Sequence, residues 1–103
     1  MRVIWSPLAV AKIREEAEYI ARDRPSAALR WADGVFDAVQ PLAVFPDQGR
    51  IVPEFGQPHF RELIHGGYRI LYRIDRDEIL ILTVRHGRRL LDFSEIWAKP
   101  SGR

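Results

Sequence analysis

The sequence predicts an α+β domain with an N-terminal strand, a two-helix hairpin and a three-stranded antiparallel meander, with the helices on one sheet face. Two observations predict this fold class. Apolar residues recur with a helical period of about 3.6 over residues 7–42 and with a strand period of about two over residues 60–85. The 103 residues, of which 47% are hydrophobic, suffice for one core, so residues 1–103 are expected to form a single domain.

The first helix is expected to begin at Pro7. Ser6 supplies an N-cap side chain, and proline is preferred at the first helical position because its missing N–H is not needed there. The apolar period indicates a helix that ends near Asp23. The β-prone residues 2–5 before it predict a short strand.

A second helix is expected after the turn-forming residues 23–26, and its apolar period runs to Leu42. Pro41 should kink or end this helix because proline removes a helical hydrogen bond. Gly34 lies inside it, at a cost of about 1 kcal/mol relative to alanine. We therefore expect its missing side chain to let the two helices approach closely.

Residues 46–58 contain three prolines and two glycines without a sustained period, which predicts a surface connection rather than a strand or helix. Three segments rich in Ile, Leu, Tyr and Val follow. Glycine-rich and acidic turns separate them, as expected of two hairpins. The predicted strands of this meander are residues 60–64, 68–74 and 79–85.

Strict alternation along these strands predicts a sheet face that the helices leave uncovered and that combines arginine with apolar side chains. Such a trough would suit an acidic amphipathic segment of another polypeptide. The alternative is that residues 90–97 of this chain cover it. The residues assigned to the trough, as candidates for binding a partner protein, are Arg69, Leu71, Arg73, Ile79, Ile81 and Arg85.

Positive charge is concentrated in residues 59–89. The chain has a net charge of only +2, yet this segment holds seven of its sixteen basic residues and all three histidines. All seven are arginines, whose planar guanidinium groups suit carboxylates and phosphates. Function is therefore expected to reside in this segment.

Several classes of function are not expected. The absence of cysteine excludes disulfides and thiolate metal sites, and the histidines and carboxylates lack the spacing of metal motifs. We expect neither a metal nor a cofactor. No apolar run approaches the roughly 20 residues of a membrane span, and the N-terminus does not read as a secretory signal, so a soluble, cytoplasmic protein is expected.

The predicted order of elements, together with four local segments, resembles the RelE/ParE superfamily of bacterial toxins from type II toxin–antitoxin modules. The resemblance covers about residues 3–91. It implies a cognate antitoxin whose C-terminal segment wraps over the toxin, and it leaves open a homodimer or a toxin–antitoxin hetero-oligomer. The segments that carry it are residues 45–54, Arg61–Leu63, Tyr68–Arg73 and Val84–Arg89.

Two activities occur in that superfamily, so the resemblance leaves open whether this protein is an enzyme. RelE-like members cut messenger RNA in the ribosomal A site, which requires acid–base groups and cations around the phosphate. If the chain is RelE-like, the candidates for this chemistry are Arg61, Glu62, His65, Arg69, Arg85 and His86.

ParE-like members instead poison DNA gyrase without known hydrolysis. The chain is closer to these, because His86–Arg89 follows an apolar strand and the tail lacks the terminal Tyr or His-Tyr pair of RelE-like nucleases. A diverged, non-toxic binding module is a further alternative. The residues expected to contact the cellular target are Arg88, Arg89, Phe93 and Trp97.

Overall fold

A computed structural model describes residues 1–87 and confirms the α+β class with its predicted order of elements. Two short 3-10 turns, Gln40–Ala43 and Pro46–Gln48, follow the helices. Among these residues no helix is both long and apolar enough to cross a membrane. The elements are β1 (Arg2–Trp5), α1 (Pro7–Ala21), α2 (Pro25–Val39), β2 (Arg50–Ile51), β3 (Phe60–His65), β4 (Tyr68–Ile74) and β5 (Glu78–His86).

The five strands form one sheet in the order β1-β5-β4-β3-β2. The predicted meander of β3, β4 and β5 is confirmed, and β1 joins it in parallel with β5, with Val3 opposite Ile79. The two-residue strand β2 pairs with β3 and was missed, because it lies in the segment predicted to be a plain connection. Within residues 1–87 the sheet therefore has five strands instead of the four predicted.

Helix α1 begins at the predicted residue, Pro7, and ends at Ala21, two residues before the predicted end. The Ser6 hydroxyl accepts the Ala9 N–H at 3.0 Å and donates to the Leu82 carbonyl at 2.9 Å, so the same side chain caps α1 and ties it to β5. Helix α2 ends at Val39, and Pro41 lies in the following 3-10 turn.

The two faces of the sheet have separate cores. On the face covered by α1 and α2, which we call the helix face, the core includes Val35, Val39, Leu42, Ile70, Tyr72, Ile79, Ile81 and Val84. On the opposite face, which we call the second face, a smaller cluster consists of Val52, Phe60, Leu71, Leu80 and Leu82.

A β-bulge makes one sequence prediction wrong. Leu71 lies opposite Thr83 while the next residue of β4, Tyr72, lies opposite Ile81, so β5 contains an extra residue at this point. An extra residue reverses the alternation of every side chain beyond it. Ile79 and Ile81 therefore pack on the helix face, not on the arginine face where strict alternation placed them.

Gly34 also has a different role from the expected one. A Cβ atom at Gly34 would lie 2.7 Å from Nε2 of His65, and the atoms nearest to it all belong to this ring on β3. The expectation that Gly34 brings the two helices together is therefore wrong. Its missing side chain instead makes room for His65 under α2.

Gly49 lies where two segments of backbone and a tyrosine meet. Its N–H donates to the Tyr72 hydroxyl at 2.9 Å, and that hydroxyl donates to the Pro46 carbonyl at 2.7 Å. A Cβ atom at Gly49 would lie 2.6 Å from both the Glu62 carbonyl oxygen and the Tyr72 hydroxyl. Only glycine fits here without moving the backbone of β3.

Substituting Gly49→Ala is expected to lower the free energy of unfolding by about 3 kcal/mol, the upper end of the usual overpacking cost, because backbone is among the crowded atoms; urea denaturation measures it. The backbone of Gly49 is ordinary, with φ −75°, so strain at this residue would not explain a loss. Gly56→Ala is the matched control: its φ is +64° with no atom within 4 Å, and it should lose only about 1 kcal/mol. A loss at Gly49 no larger than at Gly56 would contradict the close approach.

Candidate functional site

A cluster of four charged side chains lies on the second face and is centred on Arg69. The Arg69 Nε donates to Oε1 of Glu62 at 2.6 Å, and its two Nη atoms donate to the two carboxylate oxygens of Glu54 at 2.8 Å each. The Arg50 Nε donates to the other oxygen of Glu62 at 2.5 Å. We call these four residues the Arg69 network.

Three strands and one turn bring the network together. Arg50 on β2 is directly opposite Glu62 on β3, and Arg69 lies on the neighbouring strand β4. Glu54 comes from the turn after β2, which is fixed because the Val52 carbonyl accepts the N–H groups of Phe55 and Gly56. The short strand β2 therefore positions both outer members of the network.

Burial differs sharply within the network. The side chains of Glu62 and Arg69 are 0% and 8% exposed, whereas those of Glu54 and Arg50 are 32% and 59% exposed. A buried carboxylate is costly unless it is paired and hydrogen-bonded, and Glu62 meets this condition through two arginines. The inner pair is therefore structural, and the outer pair faces solvent.

The charges of the network reinforce one another. The hydrogen bonds from Arg69 hold the pKa of Glu54 below its usual range, against the opposing effect of partial burial. The hydrogen bond to Glu54 and the one to Glu62 raise the pKa of Arg69, so this guanidinium stays charged at every accessible pH. Both partners are ionised at neutral pH.

A shallow pocket of about 450 Å³ opens beside the network. Ile64 contributes an apolar side chain that is 60% exposed. Strand β2 pairs only with Arg61 and Glu62, so in the described part of the chain β2 does not cover the outer edge of β3 at residues 63–65. The pocket is lined by Arg50, Pro53, Glu54, Ile64, Gly67, Tyr68, Arg69 and Gly87.

The predicted trough is not open as expected. Arg69, Leu71, Arg73 and Arg85 do lie on the second face, but Leu71 is buried in the cluster with Val52 and Phe60. Arg73 donates to its neighbour Asp75. Ile79 and Ile81 lie on the helix face and Leu71 is buried, so none of them offers apolar surface to a partner on the second face. The accessible apolar side chain there is Ile64, at the edge of the sheet.

The sheet separates the six candidates for ribonuclease chemistry into two groups. Glu62, Arg69 and Arg85 lie on the second face. The other three lie on the helix face, where Arg61 donates to the Gly49 and Pro58 carbonyls and His65 packs on Gly34. The His86 ring stands edge-on to Tyr68, with ring centroids 5.4 Å apart.

The sequence prediction missed Arg50 and Glu54. Both lie in the segment predicted to be a plain connection, and the only signal for a strand there was the β-branched pair Ile51–Val52. No group of residues able to hold a metal ion occurs among residues 1–87. The candidates for target contact, Arg88, Arg89, Phe93 and Trp97, and the stretch 90–97 lie outside the described residues.

Solved structures share this fold. One chain of a chromosomal ParDE toxin–antitoxin system from P. aeruginosa matches with a TM-score of 0.72 and 24% identity, covering 84% of this chain and 95% of that one. A chain of the RelBE2 complex from Mycobacterium tuberculosis matches with a TM-score of 0.51 and 22% identity, covering 82% and 95%. The fold is thus that of the RelE/ParE class of toxins.

Proteins related in sequence identify the family within this class of toxins. The protein named "Putative toxin Y4kP" of Sinorhizobium fredii is 37% identical over 91 residues, which is 85% of this chain and 90% of the relative. Toxin RelE2 of Caulobacter vibrioides is 31% identical over 90 residues, covering 86% and 98%. The family model described as the ParE toxin of the type II toxin–antitoxin system parDE matches residues 3–91. The chain belongs to this ParE toxin family.

Substituting Arg69→Ala is expected to lower the free energy of unfolding by about 1.5–3 kcal/mol, because the buried Glu62 carboxylate loses one of its two arginines and keeps only Arg50. Arg2→Ala is the matched control. It removes an exposed arginine that pairs with Glu78 at 3.0 Å, and it should cost at most about 1 kcal/mol. Similar losses for both variants in urea denaturation would contradict a structural role for the Arg69 network.

Glu54 should make stability depend on pH. Its pKa is lower in the folded protein than in the unfolded chain, so its contribution is fully present above the unfolded value of about 4.3 and is lost as the pH falls through the lower folded value. The difference in unfolding free energy between the natural protein and Glu54→Gln should therefore shrink in acid. Urea denaturation from about pH 7 to about pH 3 measures it. A difference that does not change with pH would contradict this assignment.

Proposed function

We propose that this chain is a cytoplasmic toxin that inhibits DNA gyrase and is neutralised by a cognate antitoxin. The observation that carries the proposal is the match of residues 3–91 to the ParE toxin family. The division of the acid–base candidates between two sheet faces supports a toxin that acts by binding.

The geometry favours binding over RNA cleavage for a chemical reason. Cleavage needs a base, an acid and cations within hydrogen-bond reach of one phosphodiester. Here Glu62 is buried between two arginines, and the strands lie between it and the histidines His65 and His86. A gyrase inhibitor needs only a complementary surface.

The second candidate is a RelE-like, ribosome-dependent ribonuclease. It is favoured by one observation, the 31% identity to the relative named Toxin RelE2. In this reading, binding to the ribosome would have to bring groups from the two faces of the sheet to one phosphate. The fold alone does not separate the two activities.

For the antitoxin, we propose that it binds the second face at its open edge. The charged residues there are Arg50, Glu54 and Arg69, and Ile64 supplies an exposed apolar side chain. Acidic and apolar side chains of an antitoxin segment would complement both features. Arg88, Arg89, Phe93 and Trp97 are proposed to contact gyrase.

Purified protein is expected to block DNA supercoiling by gyrase and to leave messenger RNA intact on programmed ribosomes. Gel assays of plasmid topology and primer extension on the messenger RNA measure the two outcomes in parallel. Cuts in the A-site codon with normal supercoiling would overturn the gyrase proposal in favour of the ribonuclease. Activity in neither assay would identify a diverged binding module.

A pair of double variants tests the proposed contact with gyrase. Arg88→Ala combined with Arg89→Ala should weaken inhibition at least about tenfold if these arginines face anionic groups at the target. Arg22→Ala combined with Arg24→Ala removes the same charge from exposed residues of the helical hairpin and should leave inhibition unchanged. Equal losses for both pairs would indicate only a general charge effect.

A further inference from the structure

We propose that Glu54 occupies a carboxylate-binding site that an acidic side chain of a protein partner takes over. In the complex, an extended segment of the partner presents a carboxylate to Arg69 and covers Ile64 with an apolar residue. It also pairs with the edge of β3 at residues 63–65, which β2 leaves unpaired within residues 1–87. This inference rests on the antitoxin part of the proposed function, and it adds the exchange of an internal carboxylate for an external one.

The contact between Glu54 and Arg69 has the geometry of an anion-recognition site. Each Nη atom of Arg69 donates to a different oxygen of Glu54, at 2.8 Å in both cases. Two parallel hydrogen bonds to one planar anion form the bidentate arrangement that arginine uses to recognise carboxylates. A partner carboxylate in the same position would make the same two bonds.

Of the two carboxylates that bind Arg69, only that of Glu54 can move away without disturbing a strand. Glu62 lies within a strand, has no exposed side-chain surface and is held by a second arginine, Arg50. Glu54 lies on a turn, is partly exposed and has Arg69 as its hydrogen-bonded partner. Rotation of the Glu54 side chain into solvent therefore frees the Nη atoms while the strands and the inner pair stay in place.

If Glu54 leaves, another anion must replace its negative charge. Without Glu54, the network consists of two arginines and one carboxylate, so it carries one uncompensated positive charge. Arg69 is buried on strand β4 and would keep only its Nε contact to Glu62, so its two Nη atoms would lose their acceptors, which is costly for a buried charged group. Departure of Glu54 is therefore favoured only when another anion arrives.

The surroundings fit a peptide carboxylate rather than a nucleic-acid phosphate. Ile64 and Pro53 are apolar, and residues 63–65 of β3 present a strand edge that β2 does not pair with. An extended peptide satisfies such an edge through backbone hydrogen bonds. Nucleic acid instead depends on several cations that neutralise phosphates, and both Arg50 and Arg69 already pair with Glu62.

Amide NMR titrations with three defined probes test this site. The probes are the blocked peptide acetyl-Val-Glu-Val-Glu-Val-amide, the same peptide with Gln in place of Glu, and a decamer of thymidylate. The acidic peptide is expected to shift the amide signals of residues 63–69 in the natural protein. In Glu54→Gln, which removes the competing charge, its affinity should rise about tenfold or more.

Asp75→Asn is the matched control, because it neutralises the carboxylate that Arg73 contacts on the same sheet. It should leave the affinity for the acidic peptide unchanged. Glu54→Ser, a second variant with a short side chain, should reproduce the gain seen with Glu54→Gln. The amide spectra of all the variants report directly whether the fold is retained.

Three outcomes would overturn the proposal. The first is an unchanged affinity for the acidic peptide in both Glu54 variants. The second is a gain in affinity of the same size for the neutral peptide, or for the acidic peptide in Asp75→Asn. The third is tighter binding at residues 63–69 of the thymidylate decamer than of the acidic peptide. The titration contains neither gyrase nor an antitoxin, so its failure is distinct from failure of the supercoiling assay.

Discussion

The need to neutralise one buried carboxylate organises much of the second face of the sheet. Glu62 has no exposed side-chain surface, and it accepts hydrogen bonds from Arg50 on β2 and Arg69 on β4. These two contacts join three neighbouring strands through one side chain. Because β2 is only two residues long, this charged contact adds substantially to what its few backbone hydrogen bonds provide. The position of the turn that carries Glu54 also depends on β2, because this turn directly follows that strand.

The two faces of the sheet differ in what they bury and in what they expose. The helix face is filled by the main core, and its end carries Tyr68 between the rings of Trp31 and His86. The second face carries the Arg69 network and a smaller core, and at Ile64 it opens to solvent. The residues named as candidates for RNA cleavage are thereby divided between the two faces. The surface that combines charged and apolar side chains lies on the second face, at its Ile64 edge.

The sequence predicted the regular elements well because their signals are local. Ser6 and Pro7 start α1, and the alternation over 60–85 identifies the meander. Prediction from the sequence failed where the contact that determines the structure joins residues far apart in the chain. The bulge opposite Leu71 leaves no mark in the residues of β5, so the side chains beyond it were assigned to the wrong face. Strand β2 is too short to show a period, and Arg50 and Glu54 were missed with it. Membership of the toxin superfamily came from the order of segments rather than from any one motif.

The pairing of β1 with β5 has a consequence for synthesis on the ribosome. The Arg2 side chain pairs with Glu78, and the Ser6 hydroxyl with the Leu82 carbonyl, each across 76 residues of chain. The first strand therefore has no place in the sheet until its partner strand β5 has left the exit tunnel. Closing so large a loop also slows folding relative to helical proteins of the same size. A growing chain of this topology therefore cannot complete its sheet before residues 78–86 are translated and released, so the folded toxin cannot form earlier than that.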